Sequence, residues 1–213
     1  KYMLPNNFVL LGHLIFTFFI VQKLSNKIFS GSLSDNDFEK PQAFHKTDIP
    51  RSGGLASIIS FLIFALLNNL LFSSLYVDYL FIGLGLFLIG FLDDIKINLS
   101  SKTRLILMTV FLLVSIRIFS IEINGIDFIF LNNILRINLL YVFFIVLCFL
   151  FIINGSNLID GFNGLLGIHA LIILIIFSLI INSQNNNDLL NINLMIIASL
   201  LCFLFYNIPN GKM

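Results

Sequence analysis

Charge is what this sequence has least of. Only 11% of its 213 residues are Asp, Glu, Lys or Arg, against 58% hydrophobic residues, whereas a soluble domain averages about 25% charged residues. Together with a mean hydropathy of +1.01, that shortage excludes an ordinary soluble domain. Apolar runs recur along the whole length, separated by short polar stretches, which is the pattern of a bundle of spanning helices. The net charge is only +1, so no basic excess points to nucleic acid. The two cysteines, Cys148 and Cys202, lie inside apolar runs without ligand-like spacing, which sets aside a disulfide framework or a zinc site and leaves buried unpaired thiols. No small-residue cleavage site follows the first apolar run, so it reads as a retained helix. Internal repeats and low-complexity domains are also absent.

Seven apolar segments can be drawn, at 8–22, 54–77, 79–92, 104–120, 138–153, 164–182 and 192–207. Several fall short of the roughly 20 residues that a bilayer core asks for. The weakest, 79–92, is joined to its predecessor through a tight turn near Ser73, Ser74 and Asp78. Basic residues crowd cytoplasmic loops, and this gives the drawing an independent check. With the N-terminus outside, Lys23, Lys27, Lys40, Lys46, Arg51, Lys96, Lys102, Arg104 and Lys212 fall inside, and only Lys1, Arg117 and Arg136 fall near the outer face. On that outer side, residues 121–128 read IEINGIDF, an alternation about Asn-Gly that predicts a small external β-hairpin. The Asn-rich stretch Asn182 to Asn193 reads as a polar outer loop. The expected fold class is therefore an all-α polytopic integral membrane protein.

Orientation puts three unusual polar clusters on the inner face: HKTDIPRSGG at 45–54, LDDIKINLSSKTR at 92–104 and NGSNLIDGFNG at 154–164. The closing YNIPNGKM returns to the same side. A cytoplasmic site shared by distant loops is the simplest reading. Asp93 and Asp94 stand where an apolar helix reaches the membrane boundary. Adjacent carboxylates repel unless a cation is near, which Lys96, Lys102, Arg104 or an oxygen-ligated divalent metal would supply; the bland reading is a helix-end pair in water. Asn154, Asn157 and Asp160 are spaced by three, and the spacing continues to Asn163. On a helical turn they share a face of amide and carboxylate groups suited to a metal or a base. A helix start capped by Asp160 or Asn163 is the local alternative. His45, Lys46 and Arg51 give the first cluster a basic character suited to phosphates, although Pro50, Gly53 and Gly54 also make a turn into a helix. His13 and His169 read as hydrogen-bonded structural histidines, and Gly83, Gly85 and Gly90 as helix-packing positions. Such a set suits metal-assisted chemistry of phosphate esters with a lipid delivered from the side.

The order HKTDIPRSGG, then GFLDD with Lys102 downstream, then NGSNLIDGFNGLLG resembles the motif series of the MraY/WecA-type polyprenyl-phosphate N-acetylhexosamine-1-phosphate transferases, glycosyltransferase family 4. The resemblance covers about residues 40–213. It implies transfer of a sugar 1-phosphate from a UDP-linked N-acetylated sugar to polyprenyl (undecaprenyl) phosphate, with Mg2+ and release of UMP, at the cytoplasmic face of a bacterial inner membrane. A homodimer is a family-level expectation. Carried over by position, Asp93 and Asp94 match the catalytic aspartate pair, and Lys102 matches the phosphate-contacting lysine, with His45 and Arg51 joining it. Asn157 matches an asparagine near the metal, and Asn163 the uracil-contacting position, with Asn154 and Asp160 shaping the nucleotide site.

The muramoyl-pentapeptide branch usually has Asp where this chain has Asn163, and the branch using simple N-acetylhexosamines often has a third Asp where this chain has Asn98. These departures are taken to lean toward a surface-polysaccharide enzyme using N-acetylglucosamine or a relative, with the phospho-N-acetylmuramoyl-pentapeptide transferase of peptidoglycan synthesis as the alternative. An inactive homologue and a membrane transporter are the readings of other classes; acidic residues at helix ends rather than at the midplane count against transport. The family's F-x-G-D-x-G-S motif, which would follow YNIPNGKM, is not in the sequence. Residues 1–213 are therefore expected to be one transmembrane transferase domain truncated at the C-terminus and also at the N-terminus, inactive as it stands.

Overall fold

The computed structural model describes residues 5–28, 34–35, 49–50, 52–72, 77–94, 99–121, 137–159 and 164–208. Among them are seven α-helices: α1 (Pro5–Ile28), α2 (Gly53–Phe72), α3 (Val77–Asp94), α4 (Ser101–Phe119), α5 (Asn138–Ile159), α6 (Leu165–Ser183) and α7 (Asn187–Asn207). A two-residue antiparallel pair, β1 (Ser34–Asp35) with β2 (Ile49–Pro50), lies between α1 and α2 in the chain. Each described helix overlaps one of the apolar segments drawn from the sequence.

Most helices outrun those segments, because polar end turns stay helical when their own side chains close onto the backbone. Ser25 Oγ donates to the Gln22 carbonyl at 3.0 Å and Ser156 Oγ to that of Ile152 at 2.6 Å. Two boundaries move for identifiable reasons. The second segment, drawn to 77, ends as a helix at Phe72, and Asp78 lies inside the first turn of α3, where a carboxylate meets the positive end of the helix dipole. The outer loop drawn from Asn182 to Asn193 shrinks to Gln184–Asn186. Ser183 closes α6 by donating to Ile180, Asn185 takes the left-handed φ of 56°, and Asn186 Oδ1 accepts from the Leu189 amide to start α7. The predicted external hairpin lies, beyond Ile121, outside the described residues.

The chain divides into two compact units, Lys1–Tyr76 with Asp160–Met213, and Val77–Ile159. In the first, α1, α2 and α7 pack on one another, and α6 packs on α7. Phe18, Ala56 and Cys202 are buried together, with Phe19, Val21, Phe203 and Tyr206 around them. Ser52 reaches Gln22, so the start of α2 lies beside the end of α1. Phe19 meets Tyr206 with ring centroids 5.7 Å apart, which brings the end of α7 to the same place. Gly167 on α6 faces Leu204 on α7 so closely that a Cβ would meet its Cδ2 at 2.5 Å.

In the second unit α4 packs between α3 and α5. Leu112, Ile116, Val142, Ile145 and Val146 form its buried cluster, with Leu86 of α3 against it. Phe81 near the start of α3 stacks on Phe111 and also meets Phe119 at the end of α4. Gly85 leaves room for the Phe111 ring, which a Cβ would overlap, whereas Gly83 and Gly90 face open space. Only one of the three glycines read as packing positions therefore packs against a described side chain.

By length and composition, α5, α6 and α7 can each cross a membrane. At about 1.5 Å per residue they reach roughly 30 Å, the thickness of a bilayer core. On α6, Ile168, Ile172, Ile173, Ile176 and Phe177 are all exposed, an arrangement that water penalises and lipid tails do not. Both cysteines are free: Cys202 is buried and Cys148 half-buried.

Candidate active site

Antiparallel packing inside each unit decides which polar residues come together. In the second unit, Phe81 against Phe119 and Tyr141 against the Leu112–Ile116 cluster place the start of α3 and the start of α5 beside the end of α4. The opposite end therefore gathers the end of α3, the start of α4 and the end of α5. Those are the positions of Asp93 and Asp94, of Lys102, and of Asn154 and Asn157.

The start of α4 is built by a side-chain cap. Ser100 stands in extended backbone (φ −63°, ψ 147°) and its Oγ accepts from the Thr103 amide at 3.1 Å, satisfying one of the helix's first orphan N–H groups. The Ser100 and Thr103 hydroxyls also meet at 2.8 Å. This cap fixes the turn that carries Lys102, whose side chain is exposed. Ser100 is not among the candidate site residues read from the sequence, although a Ser just ahead of an apolar run is a helix-start signal.

The third cluster was drawn as a segment between two helices, and the structure corrects this. α5 continues through it to Ile159, so Asn154 and Asn157 stand on the last turns of a helix. They are three residues apart on one face, as their spacing predicts, and both are exposed. Asn154 Nδ2 donates to the Leu150 carbonyl at 2.8 Å. Because a carbonyl can only accept, this bond fixes the amide orientation and leaves Oδ1 as the atom available to a ligand.

In the first unit α6 begins at Gly164, which has φ +79° and no side-chain cap, rather than at an Asp160 or Asn163 cap. A Cβ on Gly164 would meet Ile208 Cγ1 at 2.6 Å; the position needs glycine both for its left-handed backbone and for this close approach. The starts of α2 and α6 and the end of α7 thus share one end of this unit. Four predicted site residues, His45, Arg51, Asp160 and Asn163, lie outside the described residues. His13 and His169, read as hydrogen-bonded structural histidines, are instead exposed.

Among the described residues no three His, Cys, Asp or Glu side chains form a metal-holding group. The donors offered by the second unit's polar end are oxygens, from the Asn154 and Asn157 amides on the last turns of α5, and Asp93 and Asp94 stand at the end of α3. That donor type fits a hard cation such as Mg2+.

The family model for glycosyl transferase family 4 matches residues 76–213, which is more than half of the chain. The chain belongs to glycosyl transferase family 4. The matched range begins where α3 begins and holds two of the three polar clusters, at 92–104 and 154–164. Curated members of the family align beyond it. The phospho-N-acetylmuramoyl-pentapeptide-transferase of Staphylococcus carnosus is 30% identical over 190 residues, covering 82% of this chain and 59% of that protein. The protein of the same name from Bacillus subtilis is 29% identical over 186 residues, covering 78% and 55%. That from Prochlorococcus marinus is 35% identical over 159 residues, covering 68% and 43%. The chain spans less than two thirds of the length of each of these relatives.

Proposed function

We propose that the protein acts as a multi-pass transferase of the bacterial inner membrane, the seven described helices spanning the bilayer, with its active site toward the cytoplasm. It moves a phospho-sugar from a UDP-linked N-acetylated sugar to polyprenyl phosphate and releases UMP. The observation that carries this reading is the family membership, together with the convergence of Asp93, Asp94, Lys102, Asn154 and Asn157 on one end of the second unit. Relatives named for phospho-N-acetylmuramoyl-pentapeptide favour that group as the transferred sugar, which outweighs the lean toward surface polysaccharide drawn from Asn163.

In this reading an oxygen of the lipid phosphate attacks the sugar-bearing phosphorus, and the bond from that phosphorus to the UMP oxygen breaks. Asp93 and Asp94 serve as base toward the lipid phosphate and as neighbours of the metal. Lys102, with His45 and Arg51, holds the phosphates and offsets their negative charge. Asn154, Asp160 and Asn163 orient the nucleotide. Asn157, with the carboxylates, would hold Mg2+, which when bound supplies charge neutralisation at the diphosphate. Phosphoryl transfer asks the protein mainly for such positioning and electrostatics.

The test is UMP release by membranes bearing the complete protein, given polyprenyl phosphate and Mg2+, with UDP-N-acetylmuramoyl-pentapeptide and UDP-N-acetylglucosamine offered separately. Release from the first donor that needs the lipid and is lost in Asp94→Asn is expected. Release from UDP-N-acetylglucosamine alone would select the reading that Asn163 favours, and release from neither would overturn both.

A further inference from the structure

Helix α1 has two unlike faces. Its buried residues, Leu14, Phe18, Gln22 and Ser25, recur every three or four positions and so line one side. Through Phe18 and Gln22 that side meets α2 and α7. At about 100° per residue, Phe16, Ile20, Lys23 and Lys27 fall within roughly 60° of one another on the opposite side, with Leu24 at its edge. All five of these residues are exposed, Phe16 to 64%.

The chemistry of this outward face is graded along the helix. Residues Leu11–Ser25 form an apolar helical stretch, and the two lysines follow Phe16 and Ile20 toward the helix end. At 1.5 Å per residue, Lys23 stands about 10 Å and Lys27 about 16 Å beyond Phe16 along the axis. One leaflet of a bilayer core is roughly 15 Å deep, half of the ~30 Å total. With the lysines at headgroup level, Phe16 and Ile20 therefore lie at acyl-chain depth in the same leaflet.

A second helix fits this face poorly. Helices that meet within a bilayer approach through small residues, whereas Phe16, Ile20 and Leu24 are large, and lysine is depleted from protein interfaces. A lipid meets both parts of the face. Its acyl chain follows the apolar stripe, and each lysine lays its stem on apolar surface while the ammonium reaches the headgroup. Two cations one helical turn apart favour a headgroup of net negative charge over a zwitterionic one, whose own amine offsets its phosphate.

We infer that the outward face of α1 binds an anionic phospholipid of the cytoplasmic leaflet, its phosphate between Lys23 and Lys27 and an acyl chain along Phe16 and Ile20. The site rests on the proposed reading of α1 as a spanning helix whose end faces the cytoplasm. It is independent of the reaction.

The test uses the complete protein in nanodiscs that carry a trace of phosphatidylglycerol or phosphatidylcholine with a photoactivatable acyl chain, followed by peptide mapping of α1. Labelling by phosphatidylglycerol is expected to exceed that by phosphatidylcholine several-fold. It should fall about twentyfold in Lys23→Gln with Lys27→Gln, about fivefold for each lysine, and should persist in Lys23→Arg with Lys27→Arg. Arg117→Gln, which removes an exposed cation from α4, should leave α1 labelling unchanged. Equal labelling by the two lipids, or no response to the glutamine pair, would overturn the site. Competition by polyprenyl phosphate at far lower concentration than by phosphatidylglycerol would assign the face to the lipid substrate instead and overturn it as well.

A separate measurement isolates the reading on which the site rests. Lys27→Cys should react with a membrane-impermeant maleimide, above the level of the unaltered protein, in inside-out vesicles. Reaction in right-side-out vesicles alone would remove the orientation and the lipid site together, whereas the expected reaction combined with equal labelling by the two lipids would remove the lipid site only.

Discussion

The two units of this chain hold their helices together differently. In the first, buried polar side chains reach across helix pairs: Ser52 to Gln22 between α2 and α1, and Asn193 to Ser178 and the Leu174 carbonyl between α7 and α6. In the second, the helices meet through an apolar cluster around Leu112 and through the Phe81, Phe111 and Phe119 rings, while Lys102, Asn154 and Asn157 are exposed at one end. Polar groups bonded to a neighbouring helix fix register, whereas exposed ones remain open to a ligand. The division predicts that chemistry and stability respond to different substitutions in the two units.

The largest effect is expected at the exposed end. Lys102→Ala should lower kcat/KM by about 10²–10³, the usual cost of removing one charge-stabilising group from a reacting phosphate or oxyanion. Because the side chain is exposed, its removal should change unfolding free energy by no more than about 0.5 kcal/mol. UMP release and thermal unfolding in micelles, measured on one preparation, check both halves, and a matching loss of stability would blur the distinction between the units. Leu112→Ala should do the reverse. Leu112 is fully buried, and such truncations cost about 2–5 kcal/mol; hydrogen exchange should show the opening confined to residues of α3, α4 and α5. Protection lost equally in α1, α2 and α7 would show that the units unfold as one.

A smaller cost is expected at the start of α6. Gly164→Ala must hold alanine at φ +79° against Ile208. The left-handed backbone costs roughly 1–2 kcal/mol, and the Ile208 side chain must turn aside. Thermal unfolding reads the loss, and an unchanged melting temperature would mean that the α6 start relaxes freely.

All seven described helices were legible as apolar runs, because hydropathy is a one-dimensional signal that apolar helices write along the chain. Their ends were not. Asn154 and Asn157 were placed between helices, and Asn187 to Asn193 in a loop, because polar residues read as loop until something shows that their side chains are satisfied on the helix. Asn154 bonds to Leu150 one turn back and Asn193 to a neighbouring helix, and neither bond leaves a trace in composition. The left-handed start at Gly164 was hidden in the same way, since Asp160 and Asn163 are better capping residues by type. For the site, spacing alone placed Asn154 and Asn157 on one face. What spacing could not give was the convergence of Asp93, Asp94 and Lys102 with them, which depends on how α3, α4 and α5 pair. Family resemblance supplied the roles, but its residue-level lean on sugar type rested chiefly on one position and gave way to relatives aligned over most of the chain.

Asn193 gives the finest test of how the first unit is held. It is 7% exposed on a helix apolar enough to span a membrane, and its Nδ2 lies 2.8 Å from both the Leu174 carbonyl and Ser178 Oγ. Leucine keeps the Cγ branch of asparagine and would satisfy the apolar surroundings, so Asn193→Leu removes the hydrogen bonding at the cost of added bulk. Hydrogen bonds between helices within a bilayer contribute only about 1 kcal/mol, because lipid-embedded alternatives also find partners. A loss of about that size, reduced when Ser178→Ala is already present, is the expected outcome in a double-mutant cycle on detergent-solubilised protein. A gain in stability with α6 and α7 still paired would mean that this asparagine selects the register of the two helices rather than strengthening their contact.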